Sequence, residues 1–355
     1  MVVESGLVPG HGWRQALEQH LQQAWQRKGW TACLLWPVSL LYRALLAARR
    51  WAYRSGWYPT HRLPVPVVVV GNVVVGGAGK TPTVIALVRQ LQAWGWQPGV
   101  ISRGHGRHSA QCRQVHPDSD SAEVGDEPLL LARATTAPLV VGRDRAAAGR
   151  ALLQAHPEVN VIVSDDGMQH WALARDITLV LFDQRGVGNG WLLPAGMLRE
   201  PWPAAAWGAG PVLELQTAPL RRLAAHAVNA QGQHRALLAW APSNATSPVA
   251  ALAGIAQPAA FFGMLQAQGL TLSAALPLPD HADAATLLAA LSSQPAHTVW
   301  LCTEKDAVKL FPLLDRETAQ RVWAVPLEQT LPGDLLATLR HALEGLSSRH
   351  GRETT

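Results

Sequence analysis

Residues 67–82 read VVVVGNVVVGGAGKTP. An apolar run enters a glycine loop that ends in Gly-Lys-Thr-Pro. The phosphate-loop pattern G-x-x-x-x-G-K-[ST], counted back from Lys80, puts its outer glycine at position 74, where this chain has Val74. Three glycines remain. Gly76, Gly77 and Gly79 stand where backbone N–H groups must turn inward toward an anion, a geometry that side chains obstruct. With Ala78 between them they form the expected nucleotide cradle. Lys80 then reaches the β/γ-phosphates, and Thr81 offers its hydroxyl to a magnesium ion. Pro82 suits the first turn of a helix whose positive N-terminus faces the phosphates. The bland alternative is a tight strand-to-helix turn with no ligand.

Outward from this stretch the chain alternates strand and helix. PGVIS (98–102), APLVV (137–141), NVIVS (160–164) and ITLVLF (177–182) are apolar strand candidates. Val84, Leu87, Val88 and Leu91 form one helical face after the loop. Fully apolar strands alternating with helices predict a mostly parallel sheet covered on both faces. The expected fold class is therefore α/β, a phosphate-loop NTPase-like unit over 61–212. Residues 203–212 (PAAAWGAGPV) read as a linker. A smaller C-terminal α/β unit is expected over 213–346, opening at ALLAWAP (236–242) and continuing with a helix around residues 258–269, TVWLC (298–302) and a helix from residue 306. Residues 347–355 read as a frayed tail.

Residues 1–60 differ in kind. Trp13, Leu17, Leu21 and Trp25 share a helical stripe. Residues 29–42 are uncharged, and fourteen residues fall short of the ~20 that span a bilayer. Arg43, Arg49, Arg50 and Arg54 then mingle with Trp51, Tyr53, Trp57 and Tyr58. Such a mixture suits an amphipathic helix lying in a membrane interface, and equally a helix packed on the domain. No secretory signal is visible in the first residues.

Composition narrows the function classes. The 355 residues are 48% hydrophobic and 15% charged, which is globular rather than disordered. Three widely spaced cysteines form neither a disulfide framework nor a zinc pattern, so a reducing cytosol is expected. The net charge of +5 suits an acidic partner. Only four cations are lysines, Lys28, Lys80, Lys305 and Lys309, so a lysine inside the glycine loop stands out. The arginines form no aromatic-interleaved basic stripe beyond the N-terminal segment, which argues against nucleic acid. TEKD (303–306) lacks the spacer of the guanine-reading [NT]-K-x-D motif, which argues against a GTPase.

NVIVSDDGMQHW (160–171) places Asp165 and Asp166 at the carboxyl end of an apolar strand. Ligands of open α/β sheets lie at such ends, and a carboxylate there holds magnesium in phosphate-loop enzymes. The sequence does not choose between the two aspartates. An Asp pair capping a loop is the bland reading.

Taken together these segments resemble the tetraacyldisaccharide 4′-kinases. The resemblance rests on GNVVVGGAGKTP (71–82), ISRGHGR (101–107), VGDEPLLLA (124–132), GRDR (142–145), SDDGMQH (164–170), LLPAGMLREP (192–201), ALAGIAQPAAFF (251–262), LPDHAD (278–283) and TEKDAVK (303–309), in family order over most of the chain. The family's loop also lacks the outer glycine, which accounts for Val74. Ala78 stands where the family usually has Thr, and His105 where it usually has Tyr.

The resemblance implies ATP- and Mg²⁺-dependent phosphorylation of the 4′-hydroxyl of a tetraacyldisaccharide 1-phosphate, giving lipid IVA and ADP. It implies a peripheral protein, expected to be monomeric, on the cytoplasmic face of the bacterial inner membrane. It also marks Asp126 as general base and His281 as its support, with Lys80 at the phosphates. Arg145, Gln169, His170, Arg199 and Glu200 become expected substrate contacts. A nucleotide-switch ATPase, which passes phosphate to water, is the rival reading; it has no need of GDEP or DHAD.

Overall fold

The structure, a computed structural model, describes residues 20–350 apart from 77, 78, 106, 108, 110, 204–209, 218–224, 242–246, 256, 281 and 327, with backbone only at 347–350. Helix α1 spans Trp30–Arg54. The first unit then runs β1 (Val67–Gly71), α2 (Lys80–Ala93), β2 (Pro98–Ser102), β3 (Arg113–Val115), α3 (Ser121–Val124), α4 (Asp126–Ala134), β4 (Leu139–Val141), α5 (Arg145–Ala155), β5 (Val161–Asp165), β6 (Ile177–Phe182) and β7 (Val212–Gln216). These strands form one sheet in the order β3-β4-β2-β5-β1-β6-β7, with only β3 antiparallel to its neighbour. Every residue of β1, β2, β4, β5 and β6 is buried, as strands covered on both faces must be.

The second unit contains β8 (His226–Asn229), β9 (His234–Ala236), β10 (Val249–Ala253), α6 (Pro258–Ala267), β11 (Ala274–Pro277), α7 (Ala284–Leu291), β12 (Val299–Thr303), α8 (Glu304–Leu310), α9 (Thr318–Arg321) and β13 (Val322–Val325). Its sheet order is β11-β10-β12-β13-β8-β9, parallel over the first four strands and antiparallel at β8 and β9. Within ALLAWAP, Ala236 ends β9 and Leu237–Trp240 form a 3₁₀ turn, while Pro242 lies outside the described residues.

The chain then crosses back. Helix α10 (Gly333–His350) places Leu335, Leu339 and Leu343 in the same core as Val84, Leu87 and Leu91 of α2. Gln329 Nε2 donates to Thr83 Oγ1 at 2.6 Å, a buried bond that fixes this return. The expected boundary at residue 212 therefore falls inside the first sheet, since β7 pairs with β6, and the first unit reclaims the C-terminal helix. The expected frayed tail is helical to His350, and residues 351–355 lie outside the described residues.

The uncharged stretch read as too short to span belongs to a continuous 25-residue helix that runs through Pro37. One stripe of α1 is tied to the body. Ser39 Oγ donates to Leu192 O at 2.8 Å, Tyr42 Oη donates to Arg199 O at 2.9 Å, and Arg50 pairs with Glu200 at 3.2 Å. The opposite side exposes Trp30, Leu34, Leu41, Leu45 and Trp51.

Candidate active site

Sheet register assembles the site. In the β1–β5 pair Val70 stands opposite Asp165, so the aspartates emerge beside the loop that follows β1. On the other flank Gly71 stands opposite Val180 of β6, which ends two residues later. The glycine loop thus rises between two strand ends, at the carboxyl edge where open α/β sheets take their ligands.

Gly76 has φ +98° and Gly79 φ +74°, a region that L side chains rarely adopt. Gly77 and Ala78 lie outside the described residues. Asn72 braces the loop: its Nδ2 donates to Gly76 O at 3.0 Å, and its Oδ1 faces Lys80 Nζ at 3.5 Å. The Lys80 ammonium also pairs with Asp166 Oδ1 at 3.3 Å. Asp166 sits at φ +48°, the only non-glycine with positive φ among the described residues. That turn swings its carboxylate toward Lys80. Thr81, in the first turn of α2, lies half-buried beside Lys80.

Asp165 is buried. Its Oδ2 accepts from Ser102 Oγ at 2.9 Å, while Oδ1 has no hydrogen-bond partner. Burial, followed by the nearby Glu127 and Asp166 carboxylates, pushes its pKa up to about 6. A buried, orphaned carboxylate oxygen near a second carboxylate fits a hard divalent cation, to which the Thr81 hydroxyl at the start of α2 would be a further ligand. Magnesium takes one or two protein carboxylates and completes its shell with phosphates and water.

Across from these strand ends α4 begins at Asp126. Gly125 has φ +93°, and a Cβ there would stand 2.9 Å from His105 O, so glycine alone lets the GDEP turn pack against the ISRGHGR segment. Asp126 Oδ2 pairs with Lys309 Nζ of α8 at 2.8 Å, and Glu127 pairs with Lys305 at 3.8 Å. The same lysines reach the DHAD loop: Lys309 donates to Ala282 O at 2.9 Å, and Lys305 pairs with Asp280 at 3.3 Å. Asp126, Lys309 and His105 line a cleft of about 840 Å³ between the two units. His281 lies outside the described residues, although its neighbours Asp280 and Ala282 are held to α8.

Other sequence-predicted residues divide into two groups. Arg145 is buried and its guanidinium donates to Gly142 O at 3.0 Å and Asp165 O at 2.9 Å, bracing the end of β5. Burial lowers its pKa to about 10, which leaves it charged. Glu200 is also buried, bonded by Trp171 Nε1 at 3.3 Å and by Arg50, so it anchors α1. Both therefore sit behind the cleft surface, not on it as direct substrate contacts would. Gln169 Nε2 donates to Asn72 O at 3.4 Å and stays beside the loop. His170 Nε2 accepts the Arg145 backbone N–H at 3.2 Å, and burial with the Arg145 charge lowers its pKa to about 4, so it is neutral at pH 7. Arg199 is held through its backbone, its N–H donating to Val73 O at 2.7 Å.

Sequence reasoning missed Asn72, Ser102, Glu127 and Arg185. Asn72 carried a signal, a buried amide between an apolar strand and a glycine loop; the others act through contacts that only the fold creates. TEKD resolves as internal architecture. Thr303 caps α8, and Asp306 accepts from Gly254 N and from Thr303 Oγ1.

A glycine loop whose lysine pairs with an acidic strand end, with the Glu127 carboxylate at the start of α4 near enough to raise the pKa of Asp165, defines a phosphate-loop phosphotransferase. The family model of tetraacyldisaccharide-1-P 4′-kinase matches residues 31–344. The chain belongs to that kinase family. It is 52% identical over 343 residues to the tetraacyldisaccharide 4′-kinase of Acidovorax sp. strain JS42, covering 94% of this chain and 96% of the relative. It is 50% identical to that of Polaromonas naphthalenivorans strain CJ2, covering 96% of this chain and all of the relative. Among solved structures it is similar to LpxK from Aquifex aeolicus in complex with ATP, with a TM-score of 0.70 and 26% identity over 88% of this chain and 99% of the other.

Proposed function

We propose that this kinase transfers the γ-phosphate of ATP to the 4′-hydroxyl of a tetraacyldisaccharide 1-phosphate, yielding lipid IVA and ADP, at the cytoplasmic face of the inner membrane. The observation that carries the reading is the contact between three independent chain segments: Lys80 of the loop after β1 pairs with Asp166 after β5 at 3.3 Å, and Glu127, beside Asp126 at the start of α4, acts on Asp165.

The roles follow from chemistry. Lys80 and the glycine-loop amides hold the nucleotide phosphates. Thr81, Asp165 and Asp166 would hold Mg²⁺, which supplies charge neutralisation at the phosphates. Asp126 takes the proton of the attacking hydroxyl as the O4′–Pγ bond forms, and the bond pair to the bridging oxygen leaves with ADP. His281, next to the anchored Ala282, supports Asp126. Lys309 holds Asp126 Oδ2, so closure of the two units sets the height of the carboxylate in the cleft. Arg199, Gln169 and His170 flank the loop where the sugar phosphate would arrive.

Helix α1 is proposed to lie in the lipid interface. Its stripe tied to the body supports a helix that lies on the interface over one that lipid surrounds, and its exposed Leu and Trp side offers apolar surface near Arg43. The substrate's acyl chains then stay in the bilayer, where each buried CH₂ is worth ~0.8 kcal/mol.

The test is transfer of labelled γ-phosphate in Mg²⁺ and detergent to tetraacyldisaccharide 1-phosphate. Labelled lipid that disappears with Lys80→Ala is expected. Labelled inorganic phosphate alone would refute the kinase reading in favour of the nucleotide switch.

A further inference from the structure

We propose that Arg185 is a further catalytic residue, an arginine supplied in cis that touches the terminal phosphate of the bound nucleotide. The proposal rests on the reading of residues 76–81 as the nucleotide loop and assigns a residue which that reading leaves unused.

Three observations place it. First, Arg185 follows β6, the strand that flanks β1 opposite β5, so it reaches the loop from the side away from the aspartates. Second, its guanidinium lies against Gly76. A Cβ on Gly76 would stand 3.0 Å from Nη2 and 3.3 Å from Nη1. Third, the group is held rigidly. Nε donates to Asp183 Oδ1 and Oδ2 at 3.1 and 3.0 Å, and Nη2 to Oδ2 at 2.6 Å. Asp183 is buried, and Nη1 makes no hydrogen bond among the described residues.

Gly76 marks the relevant end of the loop. Asn72 bonds Gly76 O and also faces the Lys80 ammonium, so Lys80 and Arg185 bracket the same loop segment. Lysine in a phosphate loop reaches the β/γ-phosphates. A second cation at that end meets the terminal phosphate rather than the nucleoside. During transfer the bond from Pγ to the bridging oxygen breaks, its electron pair stays on ADP, and charge is spread over the γ-oxygens. A preorganised guanidinium fork matches those oxygens. The Asp183 ion pair fixes that fork before the nucleotide arrives. Gly76 is then glycine for two reasons: its φ of +98° and the guanidinium packed on its Cα.

The experiment measures Mg²⁺-dependent affinity for ATP and for ADP by fluorescent-nucleotide competition, together with turnover, on the full chain. For Arg185→Gln the expected result is unchanged ADP affinity, an ATP-over-ADP preference reduced about tenfold, and turnover lowered about 1,000-fold, the scale of arginine-finger losses. Arg185→Lys keeps the charge and the packing, which guards against loss of fold. It too should lose most of that preference, because an ammonium cannot hold Asp183 and a phosphate as a fork does. A wild-type ATP-over-ADP preference in both variants, or turnover within twofold of wild type, overturns the proposal. Lys80→Ala, run alongside, separates the two ideas. If Lys80→Ala leaves ATP affinity intact, the loop reading itself fails; if Lys80→Ala weakens ATP and the Arg185 variants do not, only the Arg185 assignment falls.

Discussion

The substitution Asp165→Asn should stabilise the nucleotide-free protein at neutral pH while crippling its response to magnesium. Asp165 is fully enclosed, and its pKa is raised from 3.8 to about 6, first by burial and then by Glu127 and Asp166. In the unfolded chain it ionises near its ordinary value. Its ionisation therefore opposes folding. The penalty is small below about pH 4, grows as pH rises through about 6, and is constant above that. Each pKa unit is worth 1.36 kcal/mol, so two units amount to about 3 kcal/mol at pH 8 and about 1 kcal/mol at pH 4.5. Asparagine keeps an oxygen for the Ser102 hydroxyl, whose bond measures 2.9 Å, and removes the charge. Thermal unfolding of the free protein should then show a gain of roughly 5 °C at pH 8 and much less at pH 4.5. Adding Mg²⁺ and ATP should raise the melting temperature of the parent well above that of the variant. A variant that melts lower than the parent at pH 8, or with the same difference at both pH values, would refute the claim that burial of the Asp165 charge outweighs what Ser102, Lys80 and Arg145 return to it.

Three further outcomes are expected. Asp126→Asn should lower turnover by ~10²–10⁴-fold with ATP affinity preserved, since a general base acts on the acceptor hydroxyl and not on nucleotide binding; unchanged turnover removes it from that role. Lys80→Ala should weaken ATP binding and abolish labelled-lipid formation, measured by competition and transfer assays together. Replacing exposed Leu41 and Leu45 by Glu should reduce co-sedimentation with anionic vesicles while leaving phosphate transfer in detergent within about twofold, because these side chains face away from the body; equal vesicle binding would show that α1 does not dock the kinase.

The parts of the architecture that announced themselves were those with local signatures. The five buried parallel strands of the first sheet are continuous apolar runs, and α2 repeats its apolar residues at helical spacing. The glycine loop needs conformations that few residues permit, so Gly76 and Gly79 were visible at once. What stayed hidden depends on partners remote in sequence. Strand β7 has a mixed pattern, with Glu214 and Gln216 at its edge position, and so read as the start of a new unit. Helix α10 looks like an ordinary terminal helix until Leu335, Leu339 and Leu343 are seen inside the first core. Arg145 and Glu200 sit in segments that match the family, yet burial assigns them to bracing. Motif matching marks a position as constrained without saying whether ligand or scaffold imposes the constraint.

One pattern joins the site's charges. Three of its cations rest on carboxylates: Lys80 on Asp166 at 3.3 Å, Arg185 on Asp183 at 2.6 Å, Lys309 on Asp126 at 2.8 Å. An unpaired ammonium or carboxylate in such a half-buried place would cost several kcal/mol, so mutual pairing is what allows the site to hold these groups before any ligand arrives. Binding is then an exchange of partners. Lys80 leaves Asp166 for phosphate oxygens as Asp166 becomes available to the cation that accompanies them. The exchange keeps the count of charge pairs nearly constant, which makes nucleotide and metal dependent on each other: phosphate without a cation would strand Asp166 beside Asp165, and a cation without phosphate would compete with Lys80. ATP and Mg²⁺ should therefore bind with positive coupling, and the coupling should fall in Asp166→Asn, where Lys80 keeps only the neutral Asn72 amide and has no carboxylate to give up. Calorimetric titrations of ATP with and without Mg²⁺ measure it directly, and equal affinities in the parent protein would refute the exchange.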